Sequence, residues 1–173
     1  MAAAALVSLA WLLTFRLNAW AFDAVNLSPY VSWIFLPAGV RLLAVLLFDW
    51  AGVAGLFVGS LMGLGTVYGD NLPAALVLAG LSAQGPLVAV RLTRRWLRLP
   101  VDFGGLSPSH LATFSCVGAL LNVVPATLFH RLTDQPVTAF DHALPMFVGD
   151  AAGSLLLLYG LASLARLGLR LTR

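Results

Sequence analysis

Apolar runs of about twenty residues recur along this chain, with only short polar breaks between them. A helix needs ~20 such residues to cross ~30 Å of hydrocarbon. The runs fall at about residues 2–22, 30–48, 51–69, 72–93, 109–130 and 143–166. Within lipid every backbone N–H and C=O must be satisfied inside the protein, which leaves helices or a closed barrel. Runs of this length and continuity are helical. The expectation is an all-α polytopic protein, a bundle of about six transmembrane helices forming a single integral membrane domain over residues 1–173. The second and third runs meet at Asp49-Trp50, so they form a tight antiparallel hairpin.

Composition agrees. Sixty per cent of the 173 residues are hydrophobic, 10% are charged, and the mean hydropathy is +0.93. Charged residues are too few to cover a soluble domain of this size, whereas lipid can cover apolar surface. The sequence pI of about 9.8 would point to nucleic acid in a soluble protein. Here most arginines flank apolar runs, so they set membrane orientation and nucleic acid is not a partner.

Orientation follows from those arginines. Arg91, Arg94, Arg95 and Arg98 come after the fourth run, and Arg166, Arg170 and Arg173 after the sixth. Basic residues favour the cytoplasmic side, and the two spans between these groups keep the parity. The opposite side receives FDAVNLSPY, YGDN and HRLTDQPVTAFDHA, where Arg131 faces Asp23, Asp70, Asp134 and Asp141. Both termini are expected to be cytoplasmic, with the chain in a bacterial inner membrane. The first run, MAAAALVSLAWLL, has no positive residue ahead of it, so it reads as a retained span rather than a cleaved signal.

In lipid, helices associate through close backbone approach and polar links rather than through the hydrophobic effect. Gly55, Gly59 and Gly63 in the third run share one helix face by their spacing, and Gly149 and Gly153 repeat the pattern in the sixth. These are the expected packing positions. Pro37 with Gly39, Gly85-Pro86, and Pro125 after Asn122 are expected interruptions, and broken spans free backbone groups that a neighbour must satisfy.

One stretch, FLPAGVRLLAVLLFDW, puts Arg41 where water is absent. Counted from Tyr30, Arg41 lies ~16 Å deep by helical rise, and an unpaired charge there costs at least ~3 kcal/mol. The one acid inside a run is Asp150, in MFVGDAAGSLLLL, ~9–13 Å deep. Arg41 and Asp150 are therefore the expected ion pair on the second and last spans. Arg16 lies in the same half of the membrane. Turned inward, it would join them in a cavity suited to an anion; near the interface it would snorkel instead. Asn122 and Gln84 lie near mid-membrane and are candidate polar contributors. A structural pair and a ligand site both fit these residues.

FLPAGVRLLAVLLF and GDAAGSLLLLYG carry a resemblance. The chain resembles the membrane-associated sensor domains (MASE-type, first type), integral membrane input modules. That family opens one span with an aromatic-Pro-Pro-x-Gly-[Ile/Val] stretch, matched here by Phe35, Pro37, Gly39 and Val40. Leu36 replaces the first proline and Phe35 the usual tryptophan. Gly149, Asp150, Ala151 and Gly153 match the family's later Gly-Asp-Ala-x-Gly motif, and GLFVGSL resembles its glycine-bearing span. Arg41 departs from the family, which carries a small or aliphatic residue there. The resemblance covers about residues 30–160. It implies a sensory module, usually fused to a histidine kinase or a cyclic-dinucleotide enzyme. The sequence closes at ARLGLRLTR without such a domain, so the expectation is action through a separate partner protein. An accessory subunit of a larger inner-membrane complex and a substrate-binding transporter component are the alternatives.

Enzyme chemistry is not expected. Cys116 is the single cysteine, which excludes an internal disulfide and a CxxC pair, and it reads as a small packing residue. His110 lies near one face and His130 and His142 near the other, the wrong depths for a transmembrane bis-histidine haem. His130, Asp134, Asp141 and His142 carry metal-ligand chemistry, but their spacing matches no specific site. No catalytic residue, cofactor or metal is expected; the partners are the lipid bilayer and another membrane protein.

Overall fold

Pro37 decides where the second long helix starts. Having no backbone N–H to donate, it suits the first helical turn, whose donors lack intrahelical partners anyway. The computed structural model describes residues 1–22, 26–28, 31–69, 71–98, 107–133 and 139–171. Its elements run α1 (Ala2–Ala21), β1 (Asn26–Ser28), β2 (Val31–Ser32), α2 (Pro37–Tyr68), α3 (Leu72–Trp96), α4 (Pro108–Leu132) and α5 (Ala139–Leu171). β1 and β2 form one short antiparallel pair, with Asn26 opposite Ser32. All else with regular structure among the described residues is helix, and five helices are long and apolar enough to cross a membrane.

The second and third expected spans share the single element α2, and its backbone breaks at Asp49, where φ is 46° and ψ is −119°. Glycine readily adopts that region, and an aspartate there is strained. The break reverses the chain. Gly52 lies so close to Ala44 that an added Cβ would collide with its carbonyl oxygen, although in a straight helix the two would be ~12 Å apart. The arms are thus 37–48 and 50–68. At ~1.5 Å per residue they span ~18 Å and ~28 Å, so the first arm alone falls short of a ~30 Å crossing.

The expected span 30–48 is thereby corrected. Its helical part begins at Pro37, preceded by an irregular lead-in over residues 33–36. Non-helical backbone at membrane depth is tolerated only where protein satisfies it. Phe35 donates its N–H to the Gly149 carbonyl at 3.0 Å. Leu36 donates its own to Asn18 Oδ1 at 2.8 Å, and Ser32 Oγ donates to the Ile34 carbonyl at 2.8 Å.

The short first arm is largely enclosed by the other helices. Ala38, Arg41, Leu42, Ala44 and Val45 are buried on it. It meets α3 through Arg41 and Ser82, α4 through Leu42 beside Gly118, and α5 through Gly39 beside Leu157. α1 stands outside, packed on the second arm. Its contact face is the glycine row: a Cβ at Gly55 would strike the Ala4 carbonyl, and one at Gly63 would lie 2.8 Å from the Trp11 ring. Its other side exposes Leu6, Leu9, Leu13 and Leu17, as lipid contact requires.

Pro86 and Pro125, expected as interruptions, sit inside continuous α3 and α4. Gly85, beside Pro86, is a packing position instead. It brings α3 so near α4 that an added Cβ would lie 3.0 Å from the Leu121 carbonyl. Ser107 starts α4 with a capping box: its Oγ accepts from the His110 N–H at 3.3 Å, and His110 Nδ1 accepts from the Ser107 N–H at 3.2 Å. That cap is the local role of His110.

Candidate functional site

Four helices each bring one polar side chain to the same depth. Asp150 is eleven residues into α5, Asn122 ten from the end of α4, and Ser82 ten into α3. Each count corresponds to ~15–16 Å of helix. Arg41 meets them although it is only four residues into α2, because the lead-in delivers Pro37 below the level where the other helices begin.

Arg41 Nη2 lies 3.3 Å from Asp150 Oδ1, with both side chains about 5% exposed or less. The second carboxylate oxygen accepts from Asn122 Nδ2 at 2.6 Å. Arg41 Nη1 donates to Ser82 Oγ at 3.3 Å, and its guanidinium carbon stands 5.3 Å from the centroid of the Phe35 ring. The cluster is formally neutral, which is what makes burying its two charges tolerable. Within the cluster, Arg41 Nε has no hydrogen-bond partner among the described residues.

A recess opens beside the pair, lined by Ala38, Arg41, Leu42, Pro86, Gly118, Asp150 and Ser154. It has room for about one water molecule.

Of the residues singled out from sequence, Arg41, Asp150 and Asn122 come together. Arg16 does not. It is exposed on α1, and Asn18, two residues on and ~200° round the helix, is the residue that turns inward. Gln84 is likewise exposed, and Ser82, again ~200° away on α3, takes the inward place. The signal for Ser82 was present in the sequence. It belongs to a row of small buried residues at helical spacing: Ala75, Ala79, Pro86, Ala89 and Thr93. Cys116, expected to pack inside, is exposed on α4.

The nearest neighbours of Gly149 and Gly153 are backbone atoms of β2 and of the lead-in that follows it. The two glycines accept the lead-in itself: a Cβ on Gly149 would collide with the Ser32 carbonyl, and one on Gly153 with that of Phe35. The far ends of the bundle have their own contacts. Tyr68 Oη lies 3.4 Å from His130 Nε2, with the two rings stacked. At the other end Arg91 donates to Asp49 at 3.4 Å and lies over the Trp50 ring. Asp134 lies outside the described residues, as do the side chains of Asp141 and His142. Among the described residues no group of three or more metal-binding side chains occurs.

Fold and site together define a class: an apolar helical bundle able to cross a membrane several times, tied at its centre by one neutral polar cluster. Comparison with protein-family models, with curated proteins and with solved structures returned no match.

Proposed function

We propose that this chain is a non-catalytic, sensor-like integral membrane module of a bacterial inner membrane, acting through a separate partner protein. In this reading the chain crosses six times, with the two arms of α2 counted separately. Asp49 and Arg91 lie at the cytoplasmic end, Tyr68 and His130 at the other, and both termini are cytoplasmic. The joining of the lead-in to α5 supports the reading most. Phe35 is hydrogen-bonded to the Gly149 backbone, and at the next residue of α5, Asp150 is paired with Arg41. A displacement of the strand pair at the outer surface would therefore be carried to α5, whose sequence continues to the arginine-rich inner end. A shift of α5 is what a partner there would read.

The water-sized recess favours a second reading, that of an accessory subunit in which the polar cluster only holds the bundle together. One experiment separates the two. The tagged chain is purified in mild detergent with its bound proteins, as the parent and as Asp150→Asn. The sensor reading expects a bound signalling enzyme whose activity differs between the two preparations. A stoichiometric larger assembly whose activity ignores Asp150→Asn gives the accessory reading. Recovery of the chain without any bound protein removes both.

A further inference from the structure

Gln84 sits at the midpoint of α3, ~18 Å from either end, and its side chain is exposed. It hydrogen-bonds to none of the described residues. In a bilayer that position faces hydrocarbon, where an unsatisfied amide is unfavourable. Snorkelling is no remedy. Arg91, the nearest charged residue on the helix, is ~10 Å further along, and glutamine lacks the long stem by which arginine or lysine reaches the interface.

We propose that two copies of this chain associate through this face of α3, each Gln84 amide hydrogen-bonding to the other. A carboxamide carries both donors and an acceptor, so it is complementary to itself. A second copy inserted in the same direction presents its own Gln84 at the same depth, as a two-fold axis along the membrane normal requires. The neighbouring surface admits close approach. At Gly80, one turn earlier, an added Cβ would meet nothing within 4 Å, leaving a notch on the face. Val77 and Val88 continue the face on either side and are exposed. Arg91 ends it, and its charge is already met by Asp49, so two arginines brought near one another do not oppose the contact. Such small residues and interhelical carboxamide bonds are what drive helix association in lipid. The inference does not depend on the sensor reading.

Disulfide cross-linking in native membranes tests it, with the full chain carrying Cys116→Ser to remove the exposed natural thiol. Val88→Cys, on the proposed face, is expected to yield covalent dimers, and Val124→Cys, exposed on α4, is not. Adding Gln84→Leu should lower the Val88→Cys dimer yield about tenfold, while Gln84→Asn retains most of it. Because Gln84 is exposed in the single chain, dilute monomers of the Gln84→Leu chain and of the parent in detergent should unfold at the same temperature, which separates lost association from lost folding. Equal yields at Val88→Cys and Val124→Cys would overturn the proposal. So would a yield indifferent to Gln84→Leu, or cross-linking of Val88→Cys to a different protein.

Discussion

Asn18 and Leu36 are joined by one hydrogen bond, the side-chain oxygen of the first accepting the backbone N–H of the second at 2.8 Å. The bond ties α1, otherwise the outermost helix, to the lead-in just before the first arm of α2. It also satisfies one of the donors left free where a helix begins at depth.

Removing that acceptor should therefore be costly out of proportion to its size. Asn18→Ala leaves the Leu36 N–H buried and unpaired, an effect of ~1–3 kcal/mol. Arg16→Gln, two residues away but exposed, should change stability by no more than ~0.5 kcal/mol. Unfolding of both variants in detergent, followed by circular dichroism, compares them directly. An equal loss in the two would mean that Asn18 does not cap the lead-in.

The ion pair makes a sharper demand. Asp150→Leu strands Arg41 among apolar neighbours and should destabilise the bundle by ~3–5 kcal/mol. Replacing both charges, as Arg41→Met with Asp150→Leu, should recover most of that loss, because hydrophobic substitutes for a buried pair are often neutral. Recovery stops short of complete, since Asn122 then lacks its acceptor. The same unfolding assay reads the four corners of the cycle. Simple additivity of the two single changes would show that the charges do not stabilise one another.

How far these relationships could be read beforehand depended on the range of the interaction. The apolar runs and the Asp49-Trp50 turn are local, and they are legible because a lipid-crossing helix must be long and continuous. Arg41 and Asp150 are far apart in sequence, yet scarcity found them: a buried arginine needs an acid, and one run alone supplied it. For Arg16 and Gln84, depth along the helix left the direction of the side chain open. Two residues along a helix is ~200° of rotation, enough to exchange Arg16 for Asn18 and Gln84 for Ser82. Direction was written only in the small-residue row of α3. The lead-in was invisible for another reason. Its backbone is held by Gly149 and Asn18, partners that no local pattern announces.

Gly153 and Gly160 lie two turns apart on α5 and should respond oppositely to the same change. A Cβ at Gly153 meets the Phe35 carbonyl, which the lead-in cannot move without breaking its bond to Gly149. Gly153→Ala should cost ~1–3 kcal/mol through overpacking. At Gly160 the space is open, so Gly160→Ala should be neutral or stabilise by up to ~1 kcal/mol through helix propensity. Their unfolding midpoints should move in different directions, and a shared direction would remove the role given to Gly153.

Asp49 offers the last contrast, since its backbone and its side chain argue for different replacements. The backbone conformation at φ 46° and ψ −119° favours glycine. The carboxylate makes an ion pair with Arg91, but both side chains are more than half exposed, where such pairs contribute little. Backbone strain should win. Asp49→Gly is expected to match or exceed the parent's stability despite losing the pair. Asp49→Val, β-branched at a strained position, should lose ~1–3 kcal/mol. Arg91→Ala supplies the control, removing the same ion pair without touching the turn. If Asp49→Gly proves as damaging as Asp49→Val while Arg91→Ala is harmless, the carboxylate has a task at the hairpin other than pairing with Arg91.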